Sequence, residues 1–179
     1  MDKEVRKKLK TVGFMIEIQK NTDSNFANIR TIAEEVWPIT YGAILSKEQL
    51  DYMMKMMYST TSLQKQANEK GHHFILAFTD KIPVGFASYE FNYNGTVATK
   101  IHKIYVLANQ QGKGIGRFLI DYIAKEARQN KQGALLLNVN KHNVAIHFYK
   151  KLGFLITSEE IIDIGQGYVM DDYVMKFSI

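Results

Sequence analysis

The stretch QQGKGIGRFL, residues 110–119, decides how this chain is read. Gly112, Gly114 and Gly116 fall on alternate positions, with Lys113 and Arg117 beside them. The alternating segment IHKIYVL (101–107) precedes it, and an apolar pattern of helical period follows, from Ile115 to about Asn130. A glycine-dense turn between a strand and a helix collects backbone N–H groups and the positive end of the helix dipole at one point, which suits a phosphate or pyrophosphate. Two common phosphate loops do not fit. A P-loop has four residues between its first glycine and a Gly-Lys-Ser/Thr triplet, and neither Gly116-Arg117-Phe118 nor the Arg117-Phe118-Leu119 that stands at that spacing from Gly112 is such a triplet. The dinucleotide fingerprint G-x-G-x-x-G fails as well, because Phe118 and Leu119 stand where a later glycine would complete it. What remains is Gln111-x-x-Gly114-x-Gly116: an anion-binding turn, or a glycine turn with no ligand.

Working outward, FMIEIQ (14–19) alternates as a first strand. A helix follows, with Asp23 or Ser24 as N-cap and Phe26, Ile29, Ile32, Ala33 and Val36 on one face; Pro38 is expected to end it. A second helical region opens at Ser46, with Gln49 completing a capping box. Its Leu50, Met53, Met54 and Met57 form an apolar stripe, either core or an adaptable substrate wall. HFILAFT, VGFASYEFNY and TVATKIHKIYVL then read as three strands, with Asn94-Gly95 as a hairpin signal. After the glycine loop and its helix, stopped by Gly133, ALLLNV is a buried strand. NKHNVAIHFYKKLGF is an amphipathic helix closing at Gly153, and two final strands follow. The order β-α-α-β-β-β-α-β-α-β-β predicts an α/β protein, a mixed sheet with helices on both faces and one βαβ unit at 101–139.

A chain of 179 residues fits one domain, here 13–179, after a charged segment 1–12 expected to be a frayed tail or short helix. No run approaches the roughly 18 apolar residues of a membrane span. The absence of cysteine excludes thiolate metal sites and disulfides, and suggests a cytoplasmic protein. The formal charge of +5 invites a nucleic-acid reading, but the lysines are scattered and no recognition motif accompanies them. No metal-ligand spacing stands out.

The glycine loop resembles the acyl-CoA pyrophosphate motif (Q/R)-x-x-G-x-(G/A) of the GNAT N-acetyltransferase superfamily. NVAIHFYKKLGF (143–154) resembles that family's second signature, N-x-x-A-x-x-F-Y-x-x-x-G-F, matching it from Ala145 to Phe154 with Asn143 one residue nearer the alanine than the signature has it, and the element order matches over residues 14–178. ITYGAILSKEQLDYMMKMMYS and DIGQGYVMDDYVMKF further resemble the bacterial polyamine N-acetyltransferases of the PaiA type. The resemblance implies the GNAT fold, a twisted, mostly antiparallel sheet of about seven strands, and acetyl-CoA as cosubstrate with no metal. It implies that Ile104, Tyr105 and Val106 align the pantetheine arm through backbone groups, the Val106 N–H polarising the thioester carbonyl. Gln111, Gly112, Lys113, Gly114, Ile115, Gly116 and Arg117 would hold the pyrophosphate, with Asn138, Asn143 and Phe148 further along the cofactor.

Tyr149 falls where the family places its general acid, although it is also a core position of an amphipathic helix. His102 is a candidate base, or a satisfied sheet histidine; Glu90 is a second candidate. His147 reads as a solvated helix position, and His72 and His73 as a strand edge. For a cationic acceptor, Glu34, Glu35, Trp37 and Tyr41 occupy the family's acceptor-side helix and loop. Asp171 and Asp172, adjacent on a strand, cannot both line one wall. The expected activity is acetyl transfer to a primary amine of a small molecule, with a polyamine such as spermidine or spermine as the candidate that the resemblance names. Acetylation of a protein N-terminus or lysine, a non-catalytic acyl-CoA-binding module, and homodimer formation remain open alternatives or additions.

Overall fold

A computed structural model describes residues 7–11, 14–20 and 26–179. The elements are β1 (Lys7–Thr11), β2 (Phe14–Lys20), α1 (Phe26–Tyr41), α2 (Lys47–Tyr58), α3 (Thr60–Glu69), β3 (His73–Thr79), β4 (Ile82–Glu90), β5 (Ala98–Val106), α4 (Ile115–Gln129), β6 (Ala134–Asn140), α5 (Ala145–Lys151), β7 (Leu155–Gly165) and β8 (Tyr168–Ser178). They build one eight-stranded sheet in the order β1-β2-β3-β4-β5-β6-β8-β7. Every neighbouring pair is antiparallel except β5–β6, the parallel pair of the expected βαβ unit.

Alternation divides the core between the two faces. On β3, Phe74 and Leu76 join Phe86 beneath α1, α2 and α3, while Ile75 and Ala77 join Ala87 and Val84 beneath α4. The first body is anchored by Ile29, Ile32, Ala33, Val36 and Trp37 of α1. The second is anchored by Ile115, Phe118, Leu119, Tyr122 and Ile123 of α4. Among the described residues, no helix is long and apolar enough to cross a membrane.

Five local expectations are corrected. Lys7–Thr11 is a strand paired with β2, not tail or helix, because the first sheet edge offers it a full ladder, from Lys7–Ile18 to Thr11–Phe14. Pro38 does not end α1, which continues to Tyr41. The proline removes the bond to the Glu34 carbonyl, but Glu34 is exposed to water, and the Pro38 carbonyl still accepts the Gly42 N–H at 2.9 Å, so the helix continues through it. The long second helix breaks at Ser59, which caps α3 by accepting from the Ser62 N–H. The Asn94-Gly95 signal belongs to a wider connection than a two-residue hairpin, with Asn92 and Asn94 both left-handed. Finally, Lys131 (φ 57°), not Gly133, takes the left-handed position after α4, while the Gln132 N–H reaches back to the Ala127 carbonyl. The Asp23/Ser24 cap lies outside the described residues. At Ser46 the cap forms as expected: its hydroxyl accepts from the Gln49 N–H at 3.2 Å, whereas the Gln49 side chain donates to the Val169 carbonyl.

Candidate active site

The sheet opens where the chemistry is expected. β5 and β6 pair only from Ala98–Ala134 to Ile101–Leu137, although both strands run on to Val106 and Asn140. Beyond Ile101 they diverge into a fork, and the edge of β5 facing it has no strand partner. The Leu107 N–H donates to the Val84 carbonyl on the β4 side, so by strand alternation the Val106 amide faces the fork. An extended amide-bearing chain can add to this edge as a strand would.

At the mouth of the fork lies the glycine loop. Gly112 and Gly114 have φ values of 77° and 82°, a conformation that glycine adopts without strain, and Gly114 is the N-cap of α4. No side chain caps this helix, and its first turn holds no acidic residue. Its first intrahelical bond runs from the Phe118 N–H to the Gly114 carbonyl, so the N–H groups of Ile115, Gly116 and Arg117 are left for a ligand. These features fit a pyrophosphate. Two loop residues also do a structural job. The Gln111 amide donates to the Val106 carbonyl at 3.1 Å and ties the loop to β5. Gly116 is glycine because a Cβ there would meet the Phe148 ring at 3.2 Å. Lys113 and Arg117 stand exposed at the rim, Arg117 beside Asp121.

One continuous cavity of about 1580 Å³ runs from this loop through the fork to α1, α2 and α3. Tyr149 lines it and is 7% exposed, its ring edge-on to Phe148 and Phe154 at 5.3 and 5.8 Å. Burial, then the neighbouring Tyr41, pushes its hydroxyl above the ordinary range, so it stays protonated and able to donate. Asn143 is buried at the start of α5, where its side chain accepts from the Ala145 N–H.

On the opposite wall, the His102 Nε2 and Glu90 Oε2 are 2.9 Å apart, and the His72 Nε2 is 3.9 Å from the same oxygen. The two imidazoles stack with centroids 3.9 Å apart and planes 12° from parallel. Burial, followed for His72 by Lys103 and for His102 by its stacked partner, lowers both histidines, His72 to about 4, so both rings are neutral at pH 7. Glu90 is raised by burial. This trio is a metal-type grouping that the spacing did not reveal, its ligand atoms lying within 4.8 Å of one another. Near-parallel rings, however, direct their in-plane lone pairs side by side and not to one point, which suits proton handling better than coordination. His147 is exposed, as expected.

Trp37 and Tyr41, one helical turn apart, both line the cavity, with ring centroids 4.9 Å apart. Tyr58 and Tyr105 complete this aromatic wall: Trp37 lies 5.4 and 6.0 Å from them, and the Tyr41 and Tyr105 hydroxyls are 3.2 Å apart. Met53, Met56 and Met57 also line it, so the methionine stripe serves as both core and cavity wall. Glu35 is a correction. It is exposed and outside the cavity, because Val36 and Trp37 turn the buried face of α1 inward and leave Glu34 and Glu35 to solvent. Asp172 is buried in the wall and raised by burial to about 6, while Asp171 pairs with Lys141 at 2.6 Å, so the two part as strand geometry requires. Asn138 bridges Lys100, whose ammonium it accepts, and Glu160, to which it donates at 2.8 Å. Its side chain is therefore engaged in the acceptor wall.

Sequence reading missed Lys103, Gln66 and Tyr58. Lys103 on a regular strand would point away from His102. A register shift between Ser88 and Tyr89 pairs Ser88 with Lys103 and Tyr89 with Ile101, leaving His102 bulged. Both residues consequently line the cavity.

Comparison with known proteins agrees with this geometry. The family model described as acetyltransferase (GNAT) family matches residues 27–154. A spermidine N(1)-acetyltransferase of Thermoplasma acidophilum is 26% identical over 163 residues, covering 87% of this chain and 96% of that enzyme. An L-amino acid N-acyltransferase of Escherichia coli is 28% identical over 92 residues, 50% of this chain and about half (54%) of its own length. Among solved structures, a PaiA N-acetyltransferase from Thermoplasma acidophilum in complex with coenzyme A superposes with a TM-score of 0.76 at 24% identity, covering 92% of this chain and 99% of that one. With the family model spanning both the glycine loop and the Tyr149 helix, the chain belongs to the GNAT family of acetyltransferases.

Proposed function

We propose that the protein transfers an acetyl group from acetyl-CoA directly to a primary amine of a small molecule. The observation that carries this is one cavity holding, in order, a phosphate cradle, an open strand edge, a buried phenol and a carboxylate–imidazole pair. The α4 N-terminus and Gly112–Gly116 hold the pyrophosphate, and the fork edge of Ile104–Val106 aligns the pantetheine, with the Val106 N–H facing the thioester oxygen. The amine attacks the thioester carbonyl. A C–N bond forms, the C–S bond breaks, the amine proton passes to the Glu90–His102 pair directly or through water, and Tyr149 protonates the departing thiolate.

The acceptor can be a polyamine, a reading supported by the spermidine-acetylating relative and by Asp172 and Glu160 in the wall. A second reading, an amine that also carries an anion, is favoured by Lys103. Purified protein supplied with acetyl-CoA is expected to release CoA thiol when given spermidine, spermine, amino acids or simple alkylamines; silence across that whole panel would refute the reaction.

Because Glu90 and His102 act as a pair, Glu90→Gln and His102→Gln should each lower kcat/KM by roughly 100-fold or somewhat more, the lower end of the range of a general base. The double variant should be little worse than the poorer single one. Fully additive losses would show that the two act independently and not as a pair, and full activity in both single variants would show that solvent alone takes the proton.

A further inference from the structure

Resting on the acetyltransfer reading, we infer that the acceptor is an amine that also carries a carboxylate, and that Lys103 is its anion anchor. Lys103 sits on β5 only 9% exposed, yet it is one of the residues that line the cavity. Its hydrogen-bond partner is the Gln66 Oε1 at 2.5 Å, with the Tyr58 ring 5.7 Å away. Among the described residues, no carboxylate forms an ion pair with it. Such a cation is expensive to bury uncompensated.

The surroundings hold this charge in place. Gln66 is itself buried, and its amide nitrogen donates to the Met57 carbonyl and to the Ser62 hydroxyl, both at 2.9 Å. Ser62 in turn donates to the Met56 carbonyl. The Gln66 oxygen is thereby turned to Lys103 and takes one of its three donors. Lys70 adds charge of the same sign to this lobe. Lys100, three residues earlier on β5, differs in this respect: Asn138, Glu160 and Asp172 surround it and compensate it.

Two consequences follow for the acceptor. A chain of ammonium groups meets an uncompensated ammonium in this lobe, whereas a carboxylate supplies the missing counter-charge through a charge-assisted hydrogen bond. His102 of the proton-accepting pair stands next to Lys103 on β5, because the bulge there brings successive residues to one cavity, and Glu90 reaches His102 from the neighbouring β4. An acceptor that meets both of these adjacent residues carries its amine and its carboxylate close together, as an α-amino acid does. Met56, Met57 and Tyr58 surround the anchor with surface suited to an apolar side chain.

The test uses matched pairs: L-methionine against 3-(methylthio)propylamine, L-phenylalanine against 2-phenylethylamine, with spermidine alongside. Wild-type protein is expected to prefer the acid of each pair in kcat/KM by roughly tenfold or more, the worth of one hydrogen bond to a charged group. Lys103→Met should abolish that preference, and Lys103→Arg should keep part of it. A wild-type preference for spermidine or for the decarboxylated amines overturns the inference, as does an acid preference that survives in Lys103→Met. If the variants do not fold, competitive inhibition of the wild-type enzyme by 3-phenylpropionate but not by 3-phenylpropanol supports the anchor, and equal inhibition by both overturns it. If no amine is turned over, the acetyltransfer reading falls separately. The anchor is then judged by fluorescence of the single tryptophan, Trp37, in the CoA-saturated protein, where a response to the carboxylates and not to their decarboxylated partners supports it and no such difference overturns it.

Discussion

Tyr149→Phe is expected to lower kcat by about two to three orders of magnitude, with the dissociation constant for CoA changed less than about twofold. The substitution removes one oxygen and nothing else. The ring contacts to Phe148 and Phe154 survive, so the core around α5 and β7 stays packed and the melting temperature should move little. What is lost is the donor. Tyr149 lies in the cavity wall, where burial keeps its hydroxyl protonated far above neutral pH, and without it the departing thiolate has to find a proton from solvent. Thiol release under saturating acetyl-CoA measures the chemistry, and calorimetry with CoA measures binding. Unchanged turnover would reduce Tyr149 to a core residue, the alternative its helical spacing always allowed.

Gly114→Val should act on the other substrate. At φ 82° a β-branched side chain is strained by roughly 1–3 kcal/mol, even though an added Cβ meets nothing within 4 Å. The strain is therefore in the backbone, and relieving it turns the N–H groups of the first α4 turn away from the phosphate site. The expected result is a rise of about 10- to 100-fold in the KM for acetyl-CoA, as hydrogen bonds to a charged group are lost, with kcat at saturation much less affected. The melting temperature should fall by several degrees, at about 2–4 °C per kcal/mol for a chain of this size. Gly116→Ala is a control of a different kind: its Cβ would press on the Phe148 ring, so stability should respond more than cofactor affinity. A Gly114→Val protein that is folded and binds acetyl-CoA normally would remove the loop from the cofactor site.

Much of this was legible in the chain because it rests on local physics. Glycine at alternate positions before an amphipathic helix is compatible with an anion-binding N-terminus, and the second signature 143–154 supported that reading over a plain glycine turn. Period-two and period-3.6 patterns placed β2 to β8 and the helical segments within a few residues, although not the break between α2 and α3 at Ser59. Local rules misled where neighbours outweighed them. Pro38 was harmless in a last turn, and Lys7–Thr11 followed the ladder offered by β2 instead of its own charge. Glu35 carried the right chemistry for a cationic acceptor and lay on the wrong face of its helix.

By itself, then, the sequence determined the fold family, the donor loop and the helix carrying Tyr149, since each is encoded by spacing within a few dozen residues. The acceptor side was decided only by the tertiary structure. His72, Glu90 and His102 meet across three segments, and Lys103 faces Gln66 of a distant helix through one bulge in β5. A bulge shifts which face a residue serves without leaving a mark in the alternation of apolar and polar residues, and so the charge that selects the acceptor became visible only in the folded sheet.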